Sequence, residues 1–293
     1  MNIIVLGAGA IGSLYGAKLS KMNDVLLVGN KQQIKSVNKN GLRITGLENN
    51  TYTIRATTKI RKIERNTLIL LTTKVHDGKK AISGIKNLIK KDTVIICLQN
   101  GLYSENIVKG VVGKKCLVLR AVTNSGVAFL KPGTIKYNNY SYTSIEKSKK
   151  SKEIAENFKQ CGLNGYVSEN IKADMWKKLV FNCVLNPITA ILRVENRGIA
   201  DERLNPLKKL VVEECLRVAK KDGIIFNFDI GKAINKAFKN STNISSMQQD
   251  LIKGKKTEID FLNGAVARLG TKYGIECPAN EALAAIIKQI EKA

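Results

Sequence analysis

The sequence lacks an apolar run that approaches the roughly 18 residues needed to cross a membrane. It also lacks low-complexity tracts and solenoid repeats. The first residues are apolar but soon enter a glycine-rich segment, with no basic region ahead, so we expect no signal peptide. These absences argue against a membrane partner, while 44% hydrophobic residues allow a sizeable core.

Cysteine is sparse and scattered. The six cysteines form no C-x-x-C pair, and several lie in apolar segments, where a free thiol behaves as a small hydrophobic group. This pattern disfavours a disulfide framework and a structural zinc site. We therefore expect a cytoplasmic protein that needs no metal.

Acidic residues are few, 24 against 49 Lys and Arg, which gives a formal charge of +25. The excess has two interpretations, namely attraction of anions or a compositional bias towards Lys, Ile and Asn. Because the lysines are spread along the whole chain, we favour the bias. No aromatic-rich basic patch or DNA-binding motif accompanies the charge, so we expect no nucleic-acid partner.

The first half of the sequence alternates between short apolar strands and helices, which is typical of a parallel, doubly wound sheet. A turn at Lys131-Pro132-Gly133 suggests an antiparallel edge. The predicted strands are Asn2–Leu6, Asp24–Val28, Leu42–Thr45, Tyr52–Ile54, Thr67–Leu71, Thr93–Cys97, Leu117–Phe129, Thr134–Tyr137 and Gly165–Ser168. The predicted helices are Ile11–Ser20, Gln33–Lys39, Gly78–Ile89 and Lys147–Gln160.

After Asn170 the periodicity is almost entirely helical. The predicted helices there are Ile171–Leu192, Glu202–Lys221, Ile230–Asn240, Met247–Lys253, Ile259–Tyr273 and Ala279–Ile290. We therefore predict an α/β Rossmann-type N-terminal domain, residues 1–168, that binds a dinucleotide. An all-α C-terminal domain, residues 169–293, would bind substrate or mediate dimerisation, and we expect a cleft between the two.

A glycine motif follows the first predicted strand and opens a helix. It reads Gly7-Ala8-Gly9-Ala10-Ile11-Gly12 and fits G-x-G-x-x-G in the context that the motif requires. The first glycine permits a tight turn, the second lets the backbone approach a pyrophosphate, and the third lets the helix pack closely on the strand. The motif therefore predicts a dinucleotide site.

The end of the second strand bears on the choice of cofactor. An NAD site usually has Asp or Glu there to bind the ribose 2′-hydroxyl. This chain has Asn30 and Lys31 instead, which would accept a 2′-phosphate without repulsion. We favour NADP, with NAD as the alternative; Lys31 could equally be a solvated first residue of a helix.

Three polar residues form a row on the first helix of the helical half. Lys178, Asn182 and Asn186 recur every fourth residue and so share one face among apolar neighbours. They either bond to neighbouring helices or present a cation and two amides to a substrate. Downstream, Ser246 and Gln249 could form a capping box, and Glu258 could complement a helix dipole.

These motifs together resemble those of the ketopantoate reductase (2-dehydropantoate 2-reductase) family over nearly the whole chain. The resemblance rests on Gly7–Gly12, Lys74, Gln99-Asn100-Gly101, Lys178-Leu179-x-x-Asn182-Cys183-x-x-Asn186-Pro187, Ser246-Met247-x-x-Asp250 and Thr257-Glu258-Ile259-Asp260-x-x-Asn263-Gly264. One departure is Asn30, followed by Lys31, where the family often has Arg, and it leaves NADH use open.

The resemblance implies NADPH-dependent reduction of 2-dehydropantoate to (R)-pantoate, in the pathway to pantothenate and coenzyme A. It implies Lys178 as the catalytic general acid and Glu258 as the active-site glutamate, which also lies at the cofactor. It implies that Lys74 lies near the cofactor and the substrate, and it implies a homodimer. The implied substrate-binding residues are Asn100, which also contacts the cofactor, Asn182, Asn186 and Ser246.

Two other functions stay open. A related reductase of another 2-oxo acid or an imine would keep the lysine but use the amides for a different substrate. A non-catalytic dinucleotide sensor or nucleic-acid binder would account for the charge of +25. Salt-sensitive DNA binding without ketone reduction would favour the latter.

Overall fold

The computed structural model describes residues 1–292 and divides into two compact units. Residues 1–99 and 103–171 form the first unit, and residues 100–102 group with the chain from 172 onward in the second. No helix within residues 1–292 has both the length and the apolar character of a membrane span. The assignment of nucleotide to one domain and substrate to the other stays a prediction.

The first unit contains two sheets and the helices around them. Its strands are β1 (Asn2–Leu6), β2 (Asp24–Val28), β3 (Leu42–Gly46), β4 (Asn50–Tyr52), β5 (Arg55–Thr57), β6 (Thr67–Leu71), β7 (Val94–Cys97), β8 (Leu117–Thr123), β9 (Gly126–Lys131), β10 (Thr134–Asn139), β11 (Thr143–Ile145) and β12 (Gly165–Val167). Its helices are α1 (Ala10–Leu19), α2 (Lys31–Asn40), α3 (Val75–Ser83), α4 (Ser104–Val112) and α5 (Ser151–Gln160).

The larger sheet has eight strands in the order β12-β11-β8-β7-β6-β1-β2-β5. Its pairs are parallel except β8 with β11. Residues of β6 and β7 are all buried, as expected for a parallel sheet covered on both faces. The strand order reverses between β1 and β6, and ligands of such sheets bind at the carboxyl ends of the strands beside this reversal.

A second, four-stranded sheet in the order β4-β3-β10-β9 was not predicted. The predicted strand Leu117–Phe129 is wrong as one element, because the chain leaves the large sheet after β8 and enters the small one at β9. The pair β9–β10 is antiparallel, as predicted, but it is not an edge of the large sheet. Leu42, Ile44 and Ile135 of the small sheet share one apolar core with Leu14 and Ala17 of α1.

The second unit is helical. Its helices are α6 (Ile171–Leu192), α7 (Asn205–Lys221), α8 (Ile230–Phe238), α9 (Ser246–Ile252), α10 (Asn263–Tyr273) and α11 (Pro278–Ile290). The predicted fold class, a Rossmann-type α/β region and then an all-α region, is confirmed. The predicted helix Ile259–Tyr273 is interrupted: a 3₁₀ turn over Ile259–Phe261 precedes α10.

A buried carboxylate joins two of these helices. Glu214 of α7 is 3% exposed and accepts hydrogen bonds from the backbone N–H groups of Ala279 and Asn280 at 2.8 and 3.0 Å. It also accepts one from the Asn280 side chain at 2.7 Å. Because the first N–H groups of a helix have no partner within it, Glu214 caps α11 from outside. A negative charge there also complements the helix dipole.

We expect Glu214→Ala to lower the free energy of unfolding by about 3 kcal/mol, because three donors, two of them buried, lose their hydrogen bonds to a charged acceptor. Urea denaturation measures this change. Glu213→Ala is the control, since Glu213 is the exposed neighbour on α7, and it should change stability by less than about 0.5 kcal/mol. Equal effects of the two substitutions would contradict the capping role.

Candidate functional site

The glycine loop lies at the carboxyl end of β1, beside the reversal of strand order. Gly7 has φ +124°, a conformation that side chains disfavour, and its carbonyl accepts a hydrogen bond from Thr72 Oγ1 at 2.7 Å. Ala8 is buried, whereas Ala10 and Ile11 form the half-buried first turn of α1. Gly9 is the N-cap of α1 and has no side chain that could accept a hydrogen bond. The cap residue therefore leaves the first amides of α1 to a ligand.

The other two glycines of the motif differ in what a side chain would meet. A Cβ on Gly12 would lie 1.8 Å from the Gly7 carbonyl oxygen, so Gly12 is required for the turn itself. A Cβ on Gly9 would meet no atom within 4 Å. The protein fold therefore does not require glycine at position 9. A ligand that lies close against the backbone there would require it.

The end of β2 presents an amide and an ammonium group. Asn30 is the N-cap of α2, and its side-chain oxygen accepts a hydrogen bond from the Gln33 amide at 2.9 Å. Lys31 is the first residue of that helix, and both are exposed. The helix begins two residues earlier than predicted. Asp24, at the opposite end of β2, pairs with Arg55.

Lys74 follows β6, the strand on the other side of the reversal. It is the N-cap residue of α3 and is half-buried. Its carbonyl accepts a hydrogen bond from the side chain of Gln99 at 3.1 Å, and the same side chain donates to the carbonyl of Thr73 at 3.0 Å. Gln99 therefore fixes the backbone that carries Lys74.

The predicted row on α6 has the predicted spacing, because Ile171–Leu192 is one helix. Lys178 and Asn182 are half-buried and Asn186 is 4% exposed. The residues beside them, Leu179 and Cys183, are fully buried. The helix thus carries a line of polar side chains into an apolar region of the second unit.

Asn100 and Glu258, 158 residues apart in the chain, are joined within the second unit. The Asn100 side-chain amide donates to Glu258 Oε2 at 2.9 Å. Glu258 is 5% exposed and precedes the 3₁₀ turn Ile259–Phe261. A buried carboxylate needs hydrogen-bond donors, and Asn100 supplies one that also fixes its orientation. Gly101 allows this approach, because a Cβ there would lie 2.4 Å from the Phe261 carbonyl oxygen.

The predicted capping box of Ser246 and Gln249 is wrong. The N-cap of α9 is Ser245, which is buried and accepts from the Gln248 amide at 3.3 Å. Ser245 also receives a hydrogen bond from Thr189 on α6 at 3.0 Å. Ser246 is exposed and is the first residue of α9, one position after the cap.

Sequence reasoning missed Ser245 and Asn263 as residues that support the polar row. Asn263 is fully buried and donates a hydrogen bond to the α6 backbone at Cys183. The available signal was Pro187, since a proline within a helix leaves a carbonyl in need of another donor. Within residues 1–292, no group of three or more His, Cys, Asp or Glu residues is arranged to hold a metal ion.

Comparison with known proteins identifies the family. Residues 3–150 match the family described as "Ketopantoate reductase PanE/ApbA", and residues 170–291 match its C-terminal counterpart. The chain is 35% identical to 2-dehydropantoate 2-reductase of Pyrococcus horikoshii, covering 99% of this chain and 98% of that protein. It is 31% identical to the enzyme of the same name from Archaeoglobus fulgidus, with 99% and 98% coverage.

Solved structures are similar over the whole chain. A PanE/ApbA family ketopantoate reductase from Ralstonia eutropha superposes with a TM-score of 0.92 at 28% identity, covering 100% of this chain and 99% of that one. D-mandelate dehydrogenase, in a ternary structure with NADH and anilino(oxo)acetate, gives a TM-score of 0.93 at 28% identity, with 100% and 98% coverage. The chain belongs to the ketopantoate reductase family, whose members are oxidoreductases with a dinucleotide-binding fold.

Proposed function

We propose that this protein reduces 2-dehydropantoate to (R)-pantoate with NADPH, a step towards pantothenate and coenzyme A. The observation that carries the proposal is the row of Lys178, Asn182 and Asn186 on α6, in the same unit as the Asn100–Glu258 pair. The names of the relatives that match nearly the full chain support this substrate.

The proposed chemistry needs a proton donor at the ketone oxygen. The bound nicotinamide dinucleotide supplies the hydride that reduces the keto carbon. Lys178, as an ammonium group, stabilises the negative charge that develops on the oxygen and donates the proton that makes the hydroxyl group. Its half-buried position among apolar neighbours strengthens this interaction, because Coulomb energies rise as water is excluded.

The remaining polar residues bind and orient the substrate. Asn182 and Asn186 provide amide donors and acceptors on the same helix face as Lys178. Glu258, held by Asn100 at 2.9 Å, accepts a hydrogen bond from the substrate hydroxyl. Ser246, exposed at the first position of α9, donates to the substrate carboxylate. A partner whose orientation is fixed, as Asn100 fixes Glu258, reduces the entropy lost on reaching the reactive geometry.

The first unit fits a dinucleotide. The open space beside Gly9 and the amides at the start of α1 suit a pyrophosphate. Lys74 would lie along the dinucleotide at the end of β6. Asn30 uses its side-chain oxygen as a helix cap, so its NH₂ group and Lys31 are the donors for a 2′-phosphate. This set of donors favours NADP over NAD.

A second candidate is reduction of an aromatic 2-oxo acid with NADH. It is favoured by the likeness to D-mandelate dehydrogenase, which was solved with NADH and anilino(oxo)acetate. Lys178 would keep its role, and the substrate would differ in the group beyond the keto acid. Rates with 2-dehydropantoate and with benzoylformate, each measured with both dinucleotides, distinguish the two candidates.

We expect Lys178→Ala to lower kcat with 2-dehydropantoate by about 10³-fold, because charge stabilisation and proton donation are lost together. Lys177→Ala is the control: it removes an adjacent ammonium group, which lies over the Phe228 ring, and should leave kcat within about threefold. Dinucleotide oxidation followed at saturating substrate gives both values. Full turnover by the Lys178 variant would rule out the proposed role.

We expect Gly9→Ala to weaken NADPH binding by at least about tenfold while leaving the melting temperature unchanged, because the added methyl occupies only the space meant for the pyrophosphate. Calorimetric titration with NADPH measures the dissociation constant. Gly110→Ala on α4, whose Cβ also meets no atom within 4 Å, should leave binding unchanged. Unchanged affinity in the Gly9 variant would place the pyrophosphate elsewhere.

We expect Asn30→Asp to lower kcat/KM for NADPH by at least about tenfold relative to NADH, because a carboxylate repels the 2′-phosphate and binds the ribose hydroxyl. Asp caps a helix as well as Asn does, so α2 should persist. The control is Asn30→Ser, which keeps an uncharged helix cap. It shows how much of the change in cofactor preference comes from loss of the amide and how much from the added negative charge. An unchanged ratio of NADPH to NADH activity would show that this position does not select the cofactor.

A further inference from the structure

Pro187 lies inside α6, where its ring nitrogen cannot donate a hydrogen bond. In a regular helix the amide of residue 187 would bond to the carbonyl of residue 183, four positions earlier. Cys183 is fully buried, so water does not take over that role. The carbonyl of Cys183 therefore needs a donor from another element.

Asn263, at the start of α10, is that donor. Its side-chain NH₂ lies 3.0 Å from the Cys183 carbonyl oxygen and 3.0 Å from the side-chain oxygen of Asn280. Among the described residues, its own oxygen has no hydrogen-bond partner. Both protons of the amide are used and its acceptor is not, so the side chain is present as a donor. If the oxygen and nitrogen of the Asn263 amide were exchanged, its oxygen would face two other oxygens, those of the Cys183 carbonyl and the Asn280 side chain.

Two further residues hold this donor in place. Asn280 donates its own NH₂ to Glu214 Oε2 at 2.7 Å, which leaves the Asn280 oxygen turned towards Asn263. Asn263 and Asn280 are both fully buried. A buried chain of hydrogen bonds therefore runs from α7 through α11 and α10 to the backbone of α6.

The chain of hydrogen bonds ends at the part of α6 that carries the polar row. Cys183 lies directly after Asn182 and one turn before Pro187, which follows Asn186. We propose that Asn263 is a positioning residue that replaces the hydrogen bond removed by Pro187 and so fixes Asn182 and Asn186 relative to Lys178. Its effect on catalysis rests on the proposed function, whereas the replacement of the hydrogen bond does not.

A double-mutant cycle on stability tests the hydrogen bond. Asn263→Leu should raise the unfolding equilibrium constant about 10- to 100-fold, because buried acceptors lose their donor. In the Pro187→Ala background, residue 187 again has an N–H that can bond to the Cys183 carbonyl. The factor by which Asn263→Leu raises the unfolding equilibrium constant should therefore be at least about fivefold smaller. If the single variant does not fold, recovery of folded protein in the double variant is the equivalent result.

The matched control is Pro206→Ala. Pro206 lies at the first turn of α7, where a helix loses no hydrogen bond to proline. Asn263→Leu should therefore raise the unfolding equilibrium constant by the same factor, within about twofold, with and without the Pro206→Ala substitution. Additivity with Pro187→Ala, or failure of the double variant to fold, would overturn the proposal.

Kinetics test the positioning role. Asn263→Leu protein should have a kcat with 2-dehydropantoate reduced about 10- to 100-fold, with an unchanged dissociation constant for NADPH, because only the α6 row is displaced. Partial recovery of kcat in the double variant is expected. Wild-type kcat in the folded Asn263 variant would overturn the positioning role. Absence of ketone reduction by the wild type would refute the proposed function, while the stability cycle would still test the hydrogen bond.

Discussion

The requirement that buried polar groups be hydrogen-bonded governs the second unit. Between Lys178 and Asn186, its longest helix carries an ammonium group and two amides among apolar residues, and Pro187 removes one of the helix's own hydrogen bonds. The partners come from elements distant in sequence: Asn263 for the backbone, and Ser245 for Thr189. In the proposed function, the polar side chains of this row bind the substrate while other groups hold the helix backbone.

The first unit is governed by close approach of backbone atoms. Gly7 and Gly12 are required by the turn itself, whereas Gly9 is required only if a ligand lies against it. This distinction separates the two glycines that the fold requires from one that only a ligand would require. The reversal of strand order at β1 and β6 places the turn and Lys74 at adjacent strand ends, where sheets of this kind bind their ligands.

Sequence patterns predicted the strands and helices whose bounds are determined by local interactions. The bounds of β1, β6 and α6 were predicted correctly, and β1 and β6 are short apolar segments with a clear beginning and end. The small sheet was missed because β3 and β10 pair across some 90 residues, which no periodicity reveals. Helix α4 was missed because its nine residues include Gly110 and begin after Tyr103, which has a positive φ.

The candidate site shows the same limit. The row on α6 follows from spacing alone, but the pairing of Asn100 with Glu258 depends on the fold. Ser245, which caps α9 in place of Ser246, also contacts Thr189 and the Asn186 carbonyl, and both contacts depend on the fold. A propensity scale cannot distinguish two adjacent serines, whereas a buried hydroxyl that has two partners can occupy only one of the positions.

Transfer of a labelled hydride tests the central claim, that this chain is a dinucleotide-dependent reductase of 2-dehydropantoate. NADPH carrying deuterium at both C4 positions is incubated with the protein and 2-dehydropantoate, and the product is analysed by mass spectrometry and NMR. The account predicts pantoate with one deuterium on C2. Pantoate without deuterium, or unreacted 2-dehydropantoate, would contradict it.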